Sequence, residues 1–307
     1  MKTATKIMLA AAIAVAIFAI IVLIRFFMAP SKDYEQIKMQ QEKQEQGKVK
    51  MEEIKTATTS GKQESEVTWQ EQYSSADNWT VFELPDGVEI ANPFTFNGTT
   101  TAFENNINWS LEDENGAEIA SGFAYVNSPD MGIPGPFTIK AFIDKIPQTE
   151  TGTLKVFESS AKDGSPLHVA EAQVIFPTET QTVTVYFSNT KEDPSMMDCS
   201  KVYPVERMVL AGDTAEIAIH ELLRGPLATE EKAGFVTQIP KFVTQPIITY
   251  TKAGMSLDFL PDLESEVGGS CRVSAIRAQL EETAKKASNE QTVIISIDGR
   301  TQDILQP

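Results

Sequence analysis

Residues 7–24 form an unbroken apolar run, preceded by Lys2 and Lys6 and followed by a long polar tract. As a helix rising about 1.5 Å per residue, such a run spans roughly 27 Å, close to the hydrocarbon thickness of a bilayer. Arg25 closes the run, but its stem can snorkel, which extends the buried length through Phe26, Phe27 and Met28. The pattern predicts a transmembrane signal anchor over residues 1–30, embedded in the lipid bilayer through residues 7–28. The flanking positive charges keep the N-terminus cytoplasmic and export the rest. The alternative is a cleaved secretory signal, which would have a shorter apolar core and end on small residues. Arg25-Phe26-Phe27-Met28 is a poor peptidase site.

From residue 31 to 78 the chain is rich in Lys, Glu, Gln, Ser and Thr, and its apolar positions are too sparse for a heptad. It reads as a stalk holding the folded part off the membrane. Residues 79–177 then switch to short strand-like segments: Trp79–Leu84, Pro93–Asn97, Ile107–Leu111, Ala117–Ala120, Phe137–Phe142, Gly152–Phe157 and Val169–Phe176. Asp86-Gly87, Asn97-Gly98, Asn115-Gly116 and Asp163-Gly164 supply turn chemistry between them. Strands this dense without a helical pattern predict an all-β, immunoglobulin-like sandwich with Trp109, Phe82, Phe94 and Phe96 in its core.

Residues 178–307 follow a different grammar. A strand at Thr182–Phe187 precedes a polar loop containing Cys199. A helix over Asp213–Arg224 then buries Ala215, Ala218, Ile219 and Leu222 and stops at Gly225-Pro226. Strands at Ile247–Thr251 and Met255–Leu260 turn through Lys252-Ala253-Gly254. A second helix from Cys271 to about Lys286 buries Val273, Ile276, Leu280 and Ala284, and Thr292–Ile297 is the last strand. The order is βαββαβ, a two-layer α+β domain.

The formal net charge is −17, concentrated at −11 over residues 77–177 and −7 over residues 178–307. An acidic exported surface repels nucleic acid, and it suits basic partners or plain solubility. Cys199 and Cys271 are the two cysteines, and in an exported chain such a pair reads first as a disulfide. Free buried thiols or a catalytic cysteine are the alternatives. A reactive thiol needs a base, and no histidine is close to either in sequence.

Two stretches resemble known bacterial domains. Glu83-Leu84-Pro85, Asn92-Pro93-Phe94, Gly135-Pro136-Phe137, residues 152–158 and Ser160-Ala161-Lys162-Asp163-Gly164-Ser165-Pro166 resemble the immunoglobulin-like domain that accompanies the GerM domain in spore-germination proteins. Residues 183–187, Pro204-Val205-Glu206-Arg207, Glu221-Leu222-Leu223-Arg224-Gly225-Pro226, Ile239-Pro240 and residues 293–299 resemble the GerM (GerMN) domain itself. The resemblance implies a role in the sporulation or germination envelope. The lipid-attachment cysteine carried by many such proteins is missing here, and the anchor takes its place.

No candidate set for catalysis emerges, and no cofactor or metal site is expected. His168 and His220 fall in different domains, and His220-Glu221 does not continue into the zinc-protease pattern. Glu112-Asp113-Glu114-Asn115-Gly116 lacks the spacing of a calcium loop and reads as a hairpin turn. Ser270 is expected to cap the second helix after Gly268-Gly269. Glu206, Arg207 and Trp109 are the candidate partner-binding residues, with a structural ion pair as the open alternative for Arg207. The expectation is a membrane-anchored binding or scaffold protein of the cell envelope, single-pass in the plasma membrane, meeting an envelope protein, a cell-wall component or a second copy of itself. The alternatives are a peptidoglycan-acting enzyme using Glu206 and Asp258, or a glycan-binding module using Trp79, Trp109, Phe103 and Tyr125.

Overall fold

The computed structural model describes residues 72–73, 80–102, 105–130, 133–195 and 197–306, all within one compact unit, Thr68–Pro307. The expected anchor at residues 7–28 lies outside the described residues, as does the stalk apart from residues 72–73. Among the described residues no helix is long and apolar enough to cross a membrane.

The first region is a two-sheet sandwich. Its strands are β1 (Gln72–Tyr73), β2 (Thr80–Phe82), β3 (Val88–Glu89), β4 (Phe94–Thr100), β5 (Asn106–Asp113), β6 (Glu118–Tyr125), β7 (Gly135–Ala141), β8 (Thr151–Ser159) and β9 (Pro166–Ile175). One sheet has the order β1-β2-β4-β7 and the other β3-β9-β8-β5-β6. Alternation along β4, β7 and β8 sends every second side chain inward. Phe94, Phe96, Ile107, Leu111, Phe137, Leu154 and Val156 fill the space between the sheets. Trp109 meets Phe96 edge-on, with ring centroids 6.1 Å apart. Of the other aromatics expected to matter, Trp79, Phe103 and the side chain of Phe82 lie outside the description.

Asn97-Gly98 is not a turn. It lies inside β4, which continues to Thr100 between β2 and β7. Two flanking ladders fix the extended backbone there and override the dipeptide's local preference. Asp86-Gly87, Asn115-Gly116 and Asp163-Gly164 do turn, each with its glycine at positive φ. At the Asn115-Gly116 hairpin, Asp113 is buried and its Oδ1 accepts the N–H groups of Asn115 and Ala117. That acid therefore organises the turn.

The second region is α+β. It contains β10 (Thr180–Asn189), β11 (Tyr203–Leu210), α1 (Thr214–Leu223), α2 (Ala228–Lys232), β12 (Phe235–Val236), β13 (Ile247–Thr251), β14 (Gly254–Phe259), α3 (Ser270–Ser288) and β15 (Val293–Ile297). The expected βαββαβ order is corrected by β11, an eight-residue strand paired antiparallel with β10 along its whole length, and by the short β12. Two three-stranded sheets result, β11-β10-β12 and β13-β14-β15, with β14 and β15 parallel. One core joins them: Val185 and Phe187 of β10, Leu257 of β14 and Ile297 of β15 pack with Ile219 of α1 and Ile276 and Leu280 of α3. The expected apolar faces of both long helices are buried.

Ser270 does not cap α3. Gly269, at φ 86°, is the N-cap and Ser270 is already helical, so no side chain caps this end. A positive φ at that position admits glycine and disfavours serine. The cysteines do pair: Cys199 and Cys271 form a disulfide with Cα atoms 5.1 Å apart, tying the loop after β10 to the start of α3.

Candidate functional site

Arg207 alternates inward on β11, between the exposed Glu206 and Met208. It is only 5% exposed, so its guanidinium has to be satisfied inside the protein. Nη1 donates to the Glu221 carbonyl at 2.7 Å and to Glu221 Oε2 at 2.8 Å. Nη2 donates to the Gly225 carbonyl and to Glu230 Oε2, both at 2.7 Å, and Nε to Glu230 Oε1 at 3.1 Å. The cation thus closes the C-terminal end of α1, where carbonyls lack helical partners and the helix dipole is negative. Burial works against charge on both partners. For Arg207 the hydrogen bonds it donates to Glu230 and Glu221 outweigh it, and its pKa stands above the ordinary value. For Glu230 the Arg207 guanidinium and the Leu227 N–H outweigh it, and the carboxyl stays below its ordinary 4.5.

The knot explains why Pro204–Arg207 and Glu221–Pro226 stand out in the sequence: they meet here. Of the two readings open for Arg207, the structural ion pair is the one found: its guanidinium is committed to α1 and α2 through Glu221 and Glu230 and not to a partner. Trp109 packs in the sandwich core at 7% exposure, with its indole lining the groove described below. Glu206 alone of the three candidates is exposed.

The two regions are stitched along one seam. Asn92 is buried. Its Nδ2 donates to the Leu210 carbonyl at 3.2 Å, its Oδ1 accepts the Ile143 N–H at 3.1 Å, and its carbonyl accepts the Asp213 N–H at 3.1 Å. One side chain and its backbone therefore hold the exit of β7, the end of β11 and the N-cap of α1. Farther along, His220 stacks on Phe142, with centroids 4.1 Å apart and planes 6° from parallel. His220 Nε2 lies 2.8 Å from Asp144 Oδ1, and Lys140 pairs with Glu216.

Asp144, His220 and Glu221 bring ligand atoms within 4.8 Å of one another, yet this trio is a poor metal site. Glu221 Oε2 already faces Arg207, and Glu221 Oε1 accepts from Arg224 Nη1 at 2.6 Å. Arg224 Nε also stands 3.5 Å from Asp144. Guanidinium groups occupy the positions a metal ion would need, and a second cation there would be repelled.

Beside this seam runs a groove of about 760 Å³. One wall is the open side of the sandwich: Gly122, Phe123 and Ala124 of β6, and Thr138, Ile139 and Lys140 of β7. The other is the end of α1 (His220, Leu223, Arg224) with residues 241–245. Across the ladder from Trp109 stands Gly122, where an added Cβ would lie 2.8 Å from the indole nitrogen. The absence of a side chain at Gly122 is what lets the indole reach the groove. Tyr125 points away from Trp109, meeting Phe123 edge-on at 6.0 Å on the outer face of β6; the other two members of the alternative glycan platform, Trp79 and Phe103, lie outside the described residues. Sequence reasoning missed the groove, whose walls come from four separated stretches of chain.

Residues 80–165 match a family model described as the immunoglobulin-like domain of bacterial spore germination, and residues 184–303 one described as sporulation and spore germination. Comparison with curated proteins finds no match. Among solved structures, one provisionally described as a lipoprotein from Clostridium perfringens is similar at 12% identity, with a TM-score of 0.25, over 39% of this chain and 76% of that one. So slight a likeness carries no argument about function. The two family matches, each over less than half of the chain, lie in tandem and are consistent with a germination-type protein.

Proposed function

We propose that the chain is a single-pass envelope protein whose sandwich and α+β region bind and scaffold other extracytoplasmic components, without catalysis. The observation that supports this reading is the apolar surface at the groove. Phe123 and Phe242, which line it, are 62% and 93% exposed, and exposed aromatics at a groove mark contact surfaces. The membrane anchor, the stalk and the external placement of both regions belong to the proposal and rest on the sequence pattern of residues 1–78. The finer identification of residues 181–300 as a GerM domain belongs to it too and rests on the motifs at residues 183–187, 204–207 and 221–226. The hydrolase alternative gains nothing from the geometry. Asp258 accepts from Ser296 Oγ at 2.6 Å and from the Gly299 N–H at 2.9 Å, on a different sheet from Glu206.

Crosslinking in the native envelope followed by mass spectrometry tests the reading. Crosslinks from either region to an envelope protein, or to a second copy, are expected. A strictly monomeric protein that captures nothing, or one that releases product from peptidoglycan, would overturn it.

A further inference from the structure

We propose that the groove binds an extended, acidic peptide segment of a partner protein by adding it to a free strand edge of the sandwich. The inference rests on the scaffold reading above and names the chemistry of what is bound. Its first support is the way β6 and β7 line the groove. Each contributes three consecutive residues, although side chains of a strand alternate between faces. A groove touching consecutive residues must therefore run along the strand edge, where the backbone is exposed. Among the described residues both strands are terminal in their sheets: β6 pairs only with β5, and β7 only with β4. The two edges are held together where the Asn127 N–H donates to the Pro136 carbonyl at 2.9 Å. Beyond it no ladder joins them among the described residues. Unpaired strand edges of this kind accept an added strand, with backbone hydrogen bonds giving affinity and alternate side chains filling pockets.

The second support is the lining itself. Phe142 and Leu223 provide apolar floor for every second side chain of an added strand. Phe242 stands at the mouth, exposed on both counts that disfavour it: a large apolar ring in water and a backbone at φ 64°, in the left-handed region. Gln245 is held in the wall, its Nε2 donating to the Glu216 carbonyl at 3.0 Å. The charges select for acid. Lys140, Arg224 and Lys241 line the groove and no Asp or Glu among the described residues does, in a protein of net charge −17. Lys140 and Arg224 have carboxylate partners behind the wall, whereas Lys241 has no ion pair among the described residues. Neutral glycans are usually held by acidic and amide side chains around a flat ring, a set this lining lacks apart from Gln245.

The test titrates the purified full chain with a capped synthetic octapeptide alternating aspartate with valine and phenylalanine. The control is the same peptide with lysine for aspartate. The acidic peptide should bind saturably and at least about ten-fold more tightly than its lysine twin. It should also slow amide hydrogen exchange at residues 122–124 or 138–140. Phe242→Ala and Lys241→Glu, both at exposed positions and checked for unchanged melting, should each weaken binding about ten-fold. No binding, equal binding of the two peptides, protection away from both edges, or indifference to both substitutions would each overturn the proposal. So would protection of the same edges by soluble peptidoglycan fragments in place of the peptide. Failure here alongside envelope crosslinks mapping to other surfaces would leave the scaffold reading standing.

Discussion

Truncating Arg207 to alanine would leave Glu221 and Glu230 without the cation between them and strip the end of α1 of its donors. Losing one member of a buried ion pair costs about 3–5 kcal/mol, and chemical denaturation of Arg207→Ala should show a loss in that range. Lysine should not rescue it, because a single ammonium cannot reproduce five directed contacts. The partner acid carries a pH signature. Glu230 is held below its ordinary 4.5, so its ion pair stabilises the fold fully above that value. The contribution fades as pH falls through the lower folded pKa. Glu230→Gln should therefore be less stable than the parent at neutral pH and should converge with it in acid. Denaturant midpoints measured along a pH series check both limbs. A gap between the two proteins that persists at low pH would show that shape, not charge, sets the role of Glu230.

At the scale of elements, what the sequence reveals depends on whether local pattern and environment agree. The apolar faces of α1 and α3 are legible because burial follows the helical period: Val273, Ile276, Leu280 and Ala284 recur three or four apart and all are buried. β11 is hidden because its inward positions include a charged residue, Arg207, which breaks the apolar alternation that signals a strand. Asn97-Gly98 misleads in the opposite direction, since a turn-forming dipeptide says nothing about the two strands that clamp it. Of the candidate site, Arg207 is visible as a polar oddity, but its partners lie 14 and 23 positions away and nothing local points to them. The junction of β11 with α1 carries its own test. A Cβ at Gly212 would fall 1.6 Å from the Asn92 carbonyl oxygen, and both are backbone-fixed. Gly212→Ala should destabilise the protein by about 1–3 kcal/mol, the range for forced overpacking, with the loss read from the denaturant midpoint. A neutral result would mean that the seam gives way at Asn92.

Over the whole described molecule there are two large apolar cores and a smaller cluster of Val183, Val209, Ile217 and Ala218, and Leu210, the last residue of β11, packs into the sandwich core. The regions are thus joined by packing as well as by the hydrogen bonds of Asn92 and the His220–Asp144 contact. The disulfide lies within the second region and spans 72 positions. In the chain-entropy account a crosslink of that span stabilises by about 4 kcal/mol. Reduction should lower the denaturation free energy by that order, and the replacement Cys199→Ser with Cys271→Ser should match it. A change far smaller would place the constraint in the folded state's packing instead of the unfolded chain. The same crosslink decides what a protease could do to the groove. The exposed Lys241–Phe242 turn lies inside the bridged span, so a single cut there would sever the groove's outer wall without releasing a fragment. The nicked chain would migrate as one band until its cystine is reduced, then as two, and peptide capture could be switched off with both halves still in place.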